Sequence, residues 1–252
     1  MKSIGEFNSL HFEMVARERI GSDYNISVSE VKLQQKPNYV TYLKSIKPDG
    51  ERGPELLFYK DENKVILSPN QFPYFNIELE PNSWILRKDH HHTIEVNGFL
   101  FLAEVIKNET FKIGEANLPS YVVKNKDVIF RHWNCYHVEI NWRNFNWVPY
   151  TVKKGESLTS IGKMFHLSDY QILQKNTQYD DFDDATAGDE ILIPNHFAKK
   201  VVLFVDKVSM LPVYIKIEDE QGVFSEYQYN WLIVDPKLEA IDFSTENPKY
   251  KF

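Results

Sequence analysis

A single cysteine, Cys135, occurs in the 252 residues of this chain. One cysteine excludes an internal disulfide and a multi-cysteine zinc cage. Positive charge is also scarce: 29 Lys and Arg stand against 36 Asp and Glu, for a net charge of -7. No basic cluster is present to neutralise a phosphate backbone, which argues against nucleic acid as a partner. No apolar run approaches the roughly 20 residues of a transmembrane helix. The opening "MKSIGEFNSLHFEMVARERI" also lacks the unbroken apolar core of a signal peptide. Either the chain works in the cytoplasm, or Met1 begins a mature form whose leader has been removed.

Aromatic residues are what the sequence has in quantity. Its 14 Tyr and 17 Phe favour half-buried strands, so more sheet than helix is expected. The length suffices for one large domain, or a medium domain and a small one, with a hydrophobic core.

Along the chain, Ile4, Phe7, Leu10, Met14 and Val15 have a spacing that predicts a helix ending at Gly21. From Ile26 the pattern alternates, and "VKLQQKPNYVTYLKSI" sets Tyr39, Thr41 and Leu43 opposite Val40 and Tyr42, with Pro37 at a strand edge or start. "ELLFYKDENKVIL" reads as a hairpin with Asp61 to Asn63 in its loop, and "SPNQFPYFNIELEPNS" as an irregular crossing. A second helix is expected from Thr93, with Ile94, Phe101, Leu102, Val105 and Ile106 on one face and Gly98 as a weak point. Strands resume at "KDVIF" and "CYHVEI", and again at "KKVVLFVD" and "LPVYIKIEDEQGVFSEYQYNWLIV", the last with a turn at Asp219 to Gly222. The layout is α+β, an antiparallel sheet with helices on one face.

Between those runs of strands lies a unit of another kind, Tyr150 to Asn195. Val152 sits in a short strand, Gly155 permits a tight turn, and Ser157 caps a helix whose core residues are Leu158, Ile161 and Phe165. Ser168 with Gln171 predicts a capping box for a second helix that buries Ile172 and Leu173 and ends at Asn176. Gly188 then turns the chain into "EILIP", with Ile191 and Ile193 inward, so the unit is β-α-α-β with both ends in neighbouring strands. The residues "YTVKKGESLTSIGKMFHLSDYQILQKN" and "AGDEILIPN" resemble a LysM module. That resemblance implies binding of N-acetylglucosamine glycans such as peptidoglycan or chitin, in a groove formed here by Gly155, Glu156, Ser157 and Leu158 on one loop and Thr177, Gln178 and Tyr179 on the other. Two departures stand out: Glu156 replaces the usual Asp, and Gly188-Asp189 replaces the usual Gly-Gln. The acidic "YDDFDDATAGDE" beside the groove is expected to weaken binding to peptidoglycan, whose stems carry carboxylates. Its acids lack the ordered spacing of a calcium loop.

The flanking strands read as a hairpin interrupted by this unit, which makes residues 1–149 and 196–252 a discontinuous host domain and 150–195 the insert. Within the host, Asp206, Leu211-Pro212, the Asp219 to Gly222 turn and the final Asp242-Phe243-Ser244 are similar to LolA/LolB-type lipoprotein carriers. "HHTIEVNGF" and the ending "NPKYKF" resemble a Bacteroidetes-type envelope family that joins such a fold to a LysM module. The implied architecture is a half-barrel of curled antiparallel sheet around helices, enclosing an apolar cavity for a lipid, lipoprotein or other hydrophobic partner. Tyr39, Tyr42, Phe58, Tyr214, Tyr227 and Trp231 are the candidate lining, with ordinary core packing as the other reading.

Catalytic signals are thin. His90, His91 and His92 are adjacent in one loop and cannot all face one ion, so a polar turn is expected rather than a metal site. Cys135 and His137 share a strand face, but no oxyanion element accompanies them. The expectation is a non-enzymatic envelope protein with no cofactor and no catalytic residue, periplasmic or outer-membrane-associated. A peptidoglycan hydrolase or its accessory protein, and a scaffold that has lost sugar binding, are the alternatives. No HxxEH-type zinc set or cysteine-protease signature supports the hydrolase.

Overall fold

Leu10, Phe12, Met14, Ala16 and Glu18 lie two residues apart, and in the computed structural model, which describes residues 7–72 and 74–252, they share one side of an extended strand, β1 (Ser9–Ile20). This corrects the helix expected there. Leu10 and Met14 are four apart, a spacing that shares a face in a helix and in a strand alike, and β1 is held on both sides by long antiparallel neighbours, β2 (Asp23–Gln34) and β14 (Gly222–Val234). Ile4 lies outside the described residues.

Outward from β2 the chain runs through β3 (Val40–Ile46), β4 (Arg52–Tyr59), β5 (Lys64–Ser68) and the short β6 (Ile77–Leu79). On the other flank β14 pairs with β13 (Pro212–Asp219), then β12 (Lys200–Asp206) and β9 (Trp133–Asn141), which carries β7 (Val122–Lys124) and β8 (Val128–Phe130). These twelve strands make one antiparallel sheet. β4 and β13 are five strands apart, roughly 24 Å in a flat sheet at about 4.8 Å per strand. Yet Leu56 of β4 and Ile217 of β13 line one cavity, so the sheet curls.

The concave side is closed by residues 84–113. They form α1 (Trp84–Arg87), a single 3-10 turn at Ile94–Val96, and α2 (Leu100–Ile113). The second helix thus begins later than Thr93. Gly98 breaks it with φ +86, and a Cβ there would come within 2.7 Å of Leu33 Cδ2, so the backbone lies against the sheet where no side chain fits. Val105 of α2, with Phe101 and Leu102 beside it, packs on Ile140, Val201, Leu203, Ile215 and Ile217 of the sheet.

The convex side of β3 to β5 is covered by the chain's own C-terminal stretch. Phe243 packs on Tyr42 and Leu57, and Tyr250 stacks on Tyr42 at 3.8 Å between ring centres. Lys32 pairs with Asp242, Tyr59 donates to the Phe243 carbonyl, and Ser68 Oγ donates to the Lys251 carbonyl. The buried Glu55 carboxylate accepts from the Tyr42 hydroxyl and the Lys251 amide. Phe243→Ala is expected to cost about 3 kcal/mol, read as a lower urea midpoint with unchanged m-value.

Candidate functional site

β9 and β12 are antiparallel neighbours from Asn141↔Lys200 to Cys135↔Asp206. Everything between them is therefore a hairpin loop, and it contains a second, small structure. β10 (Trp147–Thr151) pairs with β11 (Glu190–Pro194), and α3 (Leu158–Phe165) and α4 (Asp169–Lys175) pack on them through Ile161, Ile172, Ile191 and Ile193. Ser157 caps α3 by a reciprocal box with Ser160. At α4 only half of a box forms: Ser168 accepts from the Gln171 amide, while the Gln171 side-chain amide is buried without a partner among the described residues. Gly162 meets Asp169, leaving 2.9 Å for a Cβ, which explains a glycine inside α3.

Asn176 locks the second helix to the second strand. Its amide donates to the Ile172 and Leu192 carbonyls and its oxygen accepts from the Leu192 amide. Because it is buried, Asn176→Ala leaves the Leu192 N–H and C=O without their partner and is expected to cost about 2 kcal/mol, checked by loss of thermal stability.

The seven groove candidates converge on two adjacent loops. The Leu158 amide donates to the Phe182 carbonyl at 2.9 Å, tying the loops together. Gly155, Thr177 and Gln178 are exposed, Glu156, Ser157 and Tyr179 are half-buried, and Leu158 is buried. Several are engaged within the unit: Glu156 accepts from the Tyr150 hydroxyl and the Lys153 amide, and the Tyr179 hydroxyl donates to Asp189. The acids beside them also serve the loop, since Asp184 accepts from the Asp180 and Asp181 amides.

Docking of this unit onto the sheet rests on residues that spacing alone did not single out. Arg87, 1% exposed, makes paired hydrogen bonds to Asp169 at 2.9 and 3.0 Å, reaches Thr159 Oγ1, and lies 3.7 Å over the Phe182 ring. His91 is sandwiched between Tyr170 of the small unit and Phe224 of β14, at 4.5 and 4.0 Å. Its Nε2 donates to the Arg19 carbonyl, and its buried Nδ1 has no partner among the described residues. Burial pushes the ring down to about 4. Arg19 in turn pairs with Asp219, within the turn the sequence had marked. Where the chain re-enters the sheet, Glu109 of α2 accepts from His196 Nδ1 at 2.6 Å and from the Phe197 amide.

Under the closing segment lies a cavity of about 360 Å³. Phe12, Met14, Leu43, Leu56, Ile94, Phe101, Ile215 and Tyr229 give it apolar walls, and Glu18, Asn25, Ser27, Asp89, His90 and His92 a polar part. Of the six aromatic residues expected to line it, only Tyr227 does. Tyr39 and Phe58 are core, ring against ring at 6.0 Å. Tyr42 faces the C-terminal stretch, Tyr214 stacks on Phe204, and Trp231 lies against His11. In a strand alternate residues take opposite faces: Tyr42 and Tyr214 sit on the other parity from Leu43 and Ile215, whereas Tyr39 and Phe58 share the inner face with Leu43 and Leu56 but are packed into the core beside the cavity. The lining that was missed carried a signal of its own: Asn25, Ser27 and Ser29 repeat small polar residues at period two.

The three adjacent histidines diverge. His90 Nδ1 is 3.4 Å from Glu18, His91 is the stacked ring just described, and His92 lies against Phe101 and Tyr227. Tyr227 donates to the other Glu18 oxygen at 2.7 Å. Burial alone would raise the Glu18 carboxyl, but the His90 hydrogen bond and the neighbouring rings outweigh it and hold Glu18 below the ordinary carboxylate value. Cys135 is buried, its thiol pushed up by burial and by Asp206, and touches the Trp133 carbonyl; His137 instead approaches Glu139 at 3.4 Å.

The chain thus carries a LysM module set into a hairpin of a curled antiparallel sheet. The LysM domain family matches residues 150–194. No curated protein matches the chain in sequence. Among solved structures, a DUF1329 family protein from Desulfovibrio piger is similar at 8% identity and TM-score 0.41, covering 96% of this chain and 92% of that one. The Mycobacterium tuberculosis lipoprotein LppX is similar at 10% identity and TM-score 0.41, covering 92% and 89%. A LolA superfamily protein from Nitrosomonas europaea is similar at 13% identity and TM-score 0.37, covering 95% and 91%.

Proposed function

We propose that this protein is a non-enzymatic component of a bacterial cell envelope that binds N-acetylglucosamine glycans through residues 150–195 and holds a lipid or another hydrophobic ligand in the cavity of residues 1–149 and 196–252. The observation that carries the reading is the LysM module itself: its two loops are closed on each other by the Leu158 to Phe182 bond, and Gly155, Thr177 and Gln178 stay open to solvent. Such loops offer backbone donors and acceptors to acetamido groups. The apolar cavity lies within the range of about 300–1,000 Å³ typical of ligand sites, which supports the second half. A periplasmic or outer-membrane-associated location follows from the glycan.

Deleting the whole module is a poor test, because it would strand Arg87 and His91. The better variant fills the groove at exposed positions, Thr177→Trp with Gln178→Trp. The intact protein is expected to be retained on insoluble chitin and peptidoglycan and the variant to wash through; equal retention of both would place any glycan contact elsewhere. Weaker retention on peptidoglycan than on chitin, relieved by salt, is the expected mark of the acidic loop.

A further inference from the structure

The cavity is not uniformly apolar, and the charges it does carry have one sign. Among the described residues Glu18 and Asp89 line it, and no Lys or Arg does. Glu18 is 4% exposed, on the concave face of β1. A charge that deep is retained only with partners, and both of its oxygens are engaged, one by the Tyr227 hydroxyl and one facing His90. With His90 protonated the wall still has one uncompensated negative charge; with His90 neutral it has two. His90 is itself exposed, so its place beside Glu18 is open to exchange.

The sheet also opens at this end. The pairing of β2 with β3 stops at Val28↔Ile46, so Asp23 to Ser27 have no β3 neighbour. Among the described residues, one hydrogen bond, from the Asn25 side chain to the Asp89 carbonyl, ties that strand end to the closing segment. The polar residues Asn25 and Ser27 therefore stand where a ligand would enter, with Leu43, Leu56, Phe12 and Ile215 beyond them.

We propose that the cavity takes a single-chain amphiphile with a cationic ammonium head, its tail among Phe12, Leu43, Leu56 and Ile215 and its charge against Glu18, and that it discriminates against amphiphiles with anionic heads. This rests on the reading of the cavity as a ligand site and adds the chemistry of its occupant. About 360 Å³ is at the small end of ligand sites, which fits one chain rather than two. A carboxylate or phosphate head would have to sit against like charge in a poorly solvated space, whereas an ammonium replaces the proton donor that His90 supplies.

The test is equilibrium dialysis of the full chain at neutral pH against labelled dodecylamine, dodecanol and dodecanoate, each below its self-association concentration. Dodecylamine is expected to bind at least about tenfold more tightly than dodecanoate, with dodecanol between them. Glu18→Gln should collapse that difference and leave dodecanol binding in place. Should Glu18→Gln fail to fold, Ser27→Lys at the half-buried lip supplies the second arm, and is expected to reverse the order of amine and carboxylate. Dodecanoate binding as tightly as dodecylamine, with dodecanol also bound, overturns the head-group proposal alone. If none of the three binds, the ligand-site reading falls and the proposal falls with it.

Discussion

Arg87→Ala is expected to lower the unfolding free energy by about 3–5 kcal/mol, the usual cost of removing one partner from a buried ion pair. Arg87 is 1% exposed and Asp169 is half-buried, its side chain 15% exposed. Alanine there leaves the Asp169 carboxylate facing an emptied site, and uncovers the Phe182 ring that the guanidinium caps. The loss falls on the seam between module and sheet, so proteolytic cleavage in 142–147 and 195–199 should accelerate along with it. Arg87→Met with Asp169→Asn removes both charges while keeping volume, and should recover a substantial part of the loss. Urea unfolding of the three proteins measures this directly. A single-variant cost below about 1 kcal/mol, the range of exposed pairs, would mean that the module is held by other contacts.

The second large effect is a loss of stability in mild acid. His91 sits in the fold with its ring held down to about 4 from an ordinary 6.5, and its Nδ1 has no acceptor in reach among the described residues. Protonation would put a buried N–H there with nothing to bond. A base whose folded value is depressed contributes stability that is full above its unfolded value and lost as pH falls toward the folded one. The window is therefore about pH 6.5 down to 4, and the full loss about 3 kcal/mol at roughly 1.4 kcal/mol per unit. Glu18, also depressed, acts in the same direction but lower, below the ordinary carboxylate value of 4.5. His91→Gln keeps a neutral donor for the Arg19 carbonyl and should make the curve shallower between pH 6.5 and 4, where His92, also held down by burial, still contributes, leaving the more acidic loss in place. An unchanged slope in that variant would assign the effect to another group.

How far the sequence reached can be read from individual residues. The module was legible in its main elements, because its signals are local: Ser157 caps one helix, Gly188 turns the chain, and Ile191 and Ile193 alternate, although the full capping box forms at Ser157 with Ser160 rather than at Ser168. The outer strands were legible from period two. β1 was not, since Leu10 and Met14 satisfy both periods and only the neighbours β2 and β14 decide between them. The cavity was expected but its lining was misassigned, because alternation tells which residues share a face and not which face curls inward. Tyr42 is the clear case: it is buried, yet on the convex side under Tyr250. The seam was out of reach, as Arg87 and Asp169 are 82 residues apart and neither stands out in its own segment.

The proposed function places the glycan on the exposed loops of the module while the module stays docked on the sheet. The most direct measurement is a titration of the intact, isotope-labelled protein with a soluble N-acetylglucosamine oligomer, followed by amide resonances. Saturable shifts at Gly155, Glu156, Thr177 and Gln178, with His91 and Tyr170 unmoved, are the predicted result. No shift at those loops at millimolar oligomer, or shifts confined to the sheet, would contradict it.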